Sequence, residues 1–219
     1  VGVQCGIIDQ FASMFGQKDT ALLLDCRDLT TTAFEIDFNE YSLLLINSNV
    51  SHDLSDSAYN DRKKVCEKTS KLLQVTSLRE VHENDLNSMK SQINENDYQK
   101  ALYVIQENDR VLKAAEAITA HDLIALGNLL YASHNGLQHQ YKVSCLELDF
   151  LVDITKENSA VLGARMMGGG FGGCTLNIIK KEEIGVFKKE TQKLYQEKFN
   201  KPCSFYNVEL SEGTHLITL

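Results

Sequence analysis

Apolar residues recur at helical spacing over residues 4–16 (QCGIIDQFASMFG), where Ile8, Phe11 and Phe15 fall at i, i+3 and i+7. A second stripe of that helix holds Gly2, Cys5, Gly6, Asp9, Ala12, Ser13 and Gly16. Apolar runs at 21–26 and 31–37, joined by a short polar turn, predict a hairpin. Residues 41–46 predict a buried strand that stops at a polar cluster over 47–52, and a helix follows over 56–74. The region 77–158 is mostly helical in pattern. Thr119 or Asp122 can cap a helix bearing Leu123, Leu126, Leu130 and Ala132. Ser144 and Glu147 form a capping-box pattern for a helix over 145–158. Strand 174–180, helix 182–199 and strand 203–210 have βαβ spacing, which predicts a parallel pair, and 215–219 is a candidate final strand. Strands thus frame a helical middle, and the predicted class is α+β with helices on one side of a sheet.

The stretch Gly163-Ala-Arg-Met-Met-Gly-Gly-Gly-Phe-Gly-Gly-Cys174 carries six of the thirteen glycines in the chain. A flexible linker pairs glycine with serine and other small polar residues, whereas these flanks are Arg165, Met166, Met167 and Phe171. The pattern predicts a structured loop whose backbone takes positive φ or approaches another group closely. No Gly-Lys-Ser/Thr ends it, so it is not a P-loop. Gly168, Gly170 and Gly173 match G-x-G-x-x-G, but a dinucleotide fingerprint follows a strand and opens a helix. Here a helix is predicted before the loop and a strand after it.

Composition narrows the function classes. The formal net charge is −8 over 219 residues, with basic residues scattered, which argues against nucleic acid as a partner. Six cysteines lie far apart without a C-x-x-C pair, the usage expected of reduced cytoplasmic thiols. No apolar run is long enough to cross a bilayer, and no signal-peptide pattern opens the chain, so the expectation is a cytoplasmic protein without a membrane partner.

Chemistry-bearing residues are sparse. His134 and His139 lie five apart near a predicted helix end, as surface histidines rather than ligands. His52-Asp53 are adjacent, which does not orient two side chains toward each other. Arg62-Lys63-Lys64 has the pattern of a solvated helix face. Asp9 sits among small side chains where another molecule can approach, or is an ordinary solvent-facing aspartate; the pattern leaves both open. The residues alone point to a binding site for something small.

Four blocks, in chain order, resemble the galactokinases of the GHMP small-molecule kinase superfamily. They are Val3–Phe11 (VQCGIIDQF), Ile46–Leu54 continuing through Ser57–Glu67, Val143–Asp149 (VSCLELD), and Gly163–Cys174. Ile8, Met167 and Lys63 depart from residues common in that family, none of them a group it uses for chemistry. Two family segments do not occur in these residues: the sugar-binding R-x-N-L-I-G-E-H-x-D pattern and the phosphate loop P-x-G-x-G-L-S-S-S-A. With Val1 as first residue, the expectation is the C-terminal portion of such a kinase.

The resemblance implies a two-domain GHMP fold. Residues 1–40 would end the N-terminal domain, and 41–219 would form a ferredoxin-like C-terminal domain with added helices. It implies ATP and Mg2+ as cofactors, with metal ligands outside these residues and none within them. It implies phosphorylation of the C1 hydroxyl of galactose, with Asp9 as catalytic residue, Gly6 and Tyr59 at the sugar, and Gly168, Gly169, Gly170, Gly172 and Gly173 as the third kinase motif. Two other functions stay open: a sugar sensor without turnover, and a kinase for a related hexose such as N-acetylgalactosamine. These residues alone are expected to be inactive. Leu22, Leu24, Phe34 and Ile36 are expected to present an exposed apolar face that favours self-association.

Overall fold

The fold is that of a computed structural model, which describes residues 6–51 and 55–215, with the backbone alone for 55–59. Helix α1 (Ile8–Phe15) is followed by an antiparallel hairpin of β1 (Thr20–Asp25) and β2 (Thr30–Glu35). Polar turn residues close that hairpin, with Asp28 Oδ1 accepting from Thr30 N at 3.0 Å and from Thr30 Oγ1 at 2.7 Å.

Strand β3 (Tyr41–Asn47) leads into helices α2 (Ser55–Leu73), α3 (Glu83–Ser88), α4 (Glu95–Thr119), α5 (Leu123–Gly136) and α6 (Leu146–Lys156). Strands β4 (Val161–Met166) and β5 (Cys174–Lys180), helix α7 (Ile184–Phe199) and strand β6 (Ser204–Val208) complete the order. Of the two predicted caps, Asp122 is the one used, its Oδ1 accepting from Ala125 N at 2.8 Å. The Ser144–Glu147 capping box does not form. Cys145 occupies the cap position, and Glu147 instead takes the Lys201 ammonium at 2.9 Å.

The sheet order is β4-β5-β3-β6, with every neighbouring pair antiparallel. Strands β5 and β6 run in the same direction, but β3 lies between them, so the predicted parallel ladder is absent. This is the split βαβ arrangement, and the order strand–helices–strand–strand–helix–strand is ferredoxin-like. Strand β4 occupies the first residues of the stretch predicted to be loop. Of the candidate strand 215–219, His215 is not in a strand and the rest lies outside the described residues.

Successive strand residues point to opposite faces, and both faces are buried. Leu44, Ile46 and Ile179 pack with Leu151 of α6 and Phe187 and Tyr195 of α7. Leu43 and Ile178 pack with Ala117 and Ile118 of α4 and Leu126 of α5. Helices therefore cover both sides, where the pattern predicted one. At the crossing of α5 and β4, Gly127 and Gly163 lie backbone to backbone, and a Cβ on either would overlap the other chain segment.

The first hairpin also departs from expectation. Ile36 is buried in the second cluster, with Ala21 and Phe34 packed against it, while Leu22 and Leu24 are half-buried. In this amino-terminal part the exposed large apolar side chains are instead Leu29 at the hairpin turn and, on α1 and just before it, Ile7, Ile8, Met14 and Phe15. The far end of α1 is held by the chain's tail, where Gly213 N donates to Gly16 O at 2.8 Å and Thr214 N to Ser13 O at 2.7 Å.

Candidate functional site

The glycine stretch forms the turn of the β4–β5 hairpin. Met167 N donates to Cys174 O at 2.9 Å and closes its base. Gly168, Gly170, Gly172 and Gly173 all have positive φ, and so does Phe171 at 61°. Gly170 is the most constrained. Its φ is 87°, and an added Cβ would overlap the Val143 carbonyl, the same oxygen that accepts from Phe171 N at 2.7 Å. Gly172 lies against Val50. Gly173 O accepts from both Ser48 N and Ser48 Oγ at 2.9 Å, and Tyr195 Oη donates to Ser48 O at 2.6 Å.

Gly168 and Gly169 differ from these three. Both are exposed, and a Cβ on either would meet nothing within 4 Å. The loop thus has an anchored half, Gly170–Gly173, and an open tip, Gly168–Gly169. Its ordered bonds exclude the linker reading, and the strand that follows it excludes the dinucleotide fingerprint.

A polar and apolar bed supports the loop. Tyr103, Leu137, Val143, Leu148 and Met166 form the core beneath it, with Phe171 packed against them. His134, predicted to be on the surface, is buried. Its Nδ1 accepts from Met166 N at 3.1 Å, which assigns the proton to Nε2, 3.4 Å from Asp149 Oδ1. Burial pushes the Asp149 carboxyl up, but the combined pull of His134, Ser144 and Gln138 outweighs it and leaves the group below the usual carboxylate range. Arg165 Nε donates to Met166 O at 2.9 Å, and its Nη1 lies 3.4 Å from Glu107 Oε1. Glu107 also accepts from Ser133 Oγ at 2.5 Å and pairs with Arg110.

Asp9 is exposed in the first turn of α1, and Gly6 is exposed just ahead of it, with nothing within 4 Å of an added Cβ. A molecule can therefore reach both. Tyr59 lies on α2, and its side chain, like His52 and Asp53, falls outside the described residues. Among the described residues no hydrogen bond or ion pair joins α1 to the glycine loop. Arg62 is the residue that pattern reading missed: Lys63 and Lys64 are exposed, but the Arg62 side chain is only 13% exposed. Nothing in the triplet itself distinguishes it. The signal lies further along α2, where Val65 and Thr69, at i+3 and i+7 from Arg62, are buried on the same face.

Among the described residues no group of three or more His, Cys, Asp or Glu is arranged to hold a metal ion. None of their helices is long and apolar enough to cross a membrane. Cys26, Cys66, Cys145, Cys174 and Cys203 are all free, and burial pushes the Cys66 and Cys203 thiols up to about 11, so both stay protonated at neutral pH. A groove of about 580 Å3 opens at the opposite end of β3 from the glycine loop, lined by Lys18, Glu35, Tyr41, His121, Lys181 and Leu210 among others.

Residues 112–189 match the family described as GHMP kinases C terminal. The chain is 41% identical over 217 residues to the galactokinase of Thermotoga maritima, covering 99% of this chain and 61% of that protein. It is 38% identical over 222 residues to that of Clostridium beijerinckii, covering 99% of this chain and 57% of the relative. The fold is similar to that of Lactococcus lactis galactokinase solved with galactose, with a TM-score of 0.92, 34% identity, and coverage of 97% of this chain and 56% of that one. Likeness to L. major mevalonate kinase, at a TM-score of 0.51 and 20% identity, concerns the fold alone.

Proposed function

Because the chain carries the C-terminal domain of the GHMP kinases, we propose that it contributes the larger part of a galactokinase, which transfers the γ-phosphoryl group of ATP to the C1 hydroxyl of α-D-galactose. The observation that carries this reading is the likeness, over 97% of the chain, to a galactokinase solved with galactose. The domain division at about residue 40 belongs to the same reading, as does a cytoplasmic location beside the ATP pool.

Phosphoryl transfer needs in-line positioning and charge neutralisation more than covalent chemistry. Asp9 takes the proton of the C1 hydroxyl, or orients that hydroxyl for attack. Its exposure on α1 and the open space at Gly6 support a sugar lying against this helix. Tyr59 hydrogen-bonds another sugar hydroxyl. The open tip of the glycine loop, at Gly168 and Gly169, leaves room for the transferring group, while Gly170, Gly172 and Gly173 hold the tip in shape. Magnesium travels with ATP and neutralises its phosphates; no protein ligand for it is assigned to these residues.

These 219 residues contain no phosphate-loop pattern, so turnover depends on one supplied from elsewhere. The test compares the purified chain with a chimera that joins the amino-terminal part of the Thermotoga maritima galactokinase to it. Galactose-dependent ADP release and galactose 1-phosphate are expected from the chimera and not from the chain alone. A chimera that binds galactose and ATP without releasing ADP would favour the sensor reading. Faster turnover of N-acetylgalactosamine than of galactose would favour the related-hexose kinase.

A further inference from the structure

We infer that Arg62 is a positioning residue, which fixes the glycine loop by gripping the turn on which that loop rests. Three segments distant in sequence meet here. After α5 the chain passes through a π-helical turn, Leu137–Tyr141, and leaves it at Lys142 with a left-handed φ of 55°. Such a helix end presents carbonyls with no intrahelical partner. Arg62 fills that need from α2, its Nε donating to Tyr141 O at 3.1 Å and its Nη2 to Lys142 O at 2.6 Å. The next carbonyl, of Val143, accepts from Phe171 N and lies against Gly170. The Arg62 guanidinium also sits over the Phe171 ring, 5.9 Å from its centroid.

Arg62 therefore acts on the loop twice, through the backbone of 141–143 and through the ring of Phe171. Phe171 needs such restraint, because a bulky side chain at a φ of 61° occupies a sparsely populated region. A planar fork with several fixed donors suits two adjacent carbonyls; a lysine ammonium is a point charge on a flexible stem. Asp61, the neighbour of Arg62, steadies the helix by accepting from the nearly buried Lys100 at 2.6 Å. Without Arg62 the turn loosens, Phe171 leaves its strained conformation, and the tip Gly168–Gly169 loses its shape. The conformational claim stands on this geometry; its effect on turnover rests on the galactokinase reading.

The test is native-state amide hydrogen exchange on this chain with Arg62→Lys and Arg62→Ala. In both, exchange at Phe171 is expected to quicken by about tenfold or more, while amides of β3 and β5 keep their protection within about twofold. Unchanged protection at Phe171 in either variant overturns the proposal. So does a uniform rise across loop and sheet, which would mark a merely structural arginine. Should Arg62→Ala fail to fold, Arg62→Lys alone decides. In the chimera, Arg62→Lys is expected to lower kcat between about tenfold and a hundredfold, with galactose affinity changed far less. If the chimera with Arg62 intact phosphorylates no galactose, the galactokinase reading falls, and the exchange result still judges the clamp.

Discussion

Helix α1 of the amino-terminal arm and strand β3 of the four-stranded body both carry runs of apolar residues, yet they end in opposite environments. In the body, Leu44 and Ile46 of β3 are fully buried between α6 and α7. In the arm, Ile8 is 72% exposed, and Met14 and Phe15 are each 57% exposed. Periodicity specifies that a helix forms and which side chains share a face. What covers that face depends on partners supplied by the rest of the molecule. The difference follows function as well: the proposed catalytic Asp9 stands on the uncovered arm, whereas the glycine loop is bolted to the body through Ser48, Val50 and Val143.

The sharpest test of this contrast pairs two glycines. Gly163→Val forces a branched side chain into the α5 backbone at Gly127, so it is expected to cost about 3–5 kcal/mol or prevent folding. Gly6→Ala, with open space around it, is expected to leave Tm within about 1 °C. Thermal unfolding of both variants reads the comparison directly, and equal shifts would erase it.

Gly170→Val probes the anchored half of the loop. A β-branched residue at a φ of 87° that also meets the Val143 carbonyl is expected to cost about 1–3 kcal/mol. In the chimera it should lower galactose phosphorylation by about a hundredfold or more. Wild-type kinetics in this variant would show that the loop's shape is immaterial.

Asp9→Asn tests the arm's proposed chemistry. The chimera's kcat is expected to fall by about 10²-fold or more. Tm should hold, because Asp9 is exposed, and galactose binding should survive better than turnover, because an amide still reaches the hydroxyl. A lower Tm with kcat intact would make Asp9 a structural residue.

Asp61→Asn should cost about 1 kcal/mol, a fall of about 2–4 °C in Tm, because it leaves the buried Lys100 ammonium with a weaker partner. The hydrogen bond from Lys100 holds the Asp61 carboxyl below its ordinary value. A depressed carboxyl contributes stability above its unfolded-state pKa, and loses that contribution as pH falls through the folded-state value. Wild type should therefore lose more Tm than Asp61→Asn on acidification below about pH 4; parallel curves would discount the pair.

The smallest effect is expected from Ile8→Ser combined with Phe15→Ser, which disperses the exposed apolar face of α1. Tm should change by about 1 °C or less, while sedimentation velocity should detect weaker self-association than in the parent chain. A parent chain that is monomeric at every concentration would remove self-association from the reading.

Much of this was readable in residue order. Strands β3, β5 and β6, helices α2 and α7 and the hairpin β1–β2 follow from runs whose spacing has one good solution. The glycine loop announced itself by density, and the four sequence blocks carried the family. Strand β4 was not legible, because after Val161-Leu162 the residues Gly163-Ala-Arg-Met offer neither alternation nor branched side chains; pairing with β5 and the close approach to α5 make it a strand. The βαβ spacing was read correctly as direction but not as adjacency, since a strand from earlier in the chain can insert between two others. His134 and Arg62 were misjudged because their neighbours in sequence are polar, while their neighbours in space are a strand end and a helix end.

Sequence alone determined the elements other than β4, the need for positive φ around residues 168–173, and the chemistry available at Asp9, because each depends on a residue's own covalent structure and its near neighbours. Tertiary structure decided which apolar faces are covered, which half of the loop is anchored, and that Arg62 serves carbonyls some eighty residues away. Burial and hydrogen-bond satisfaction are properties of what packs against a residue, and no local pattern encodes the partner.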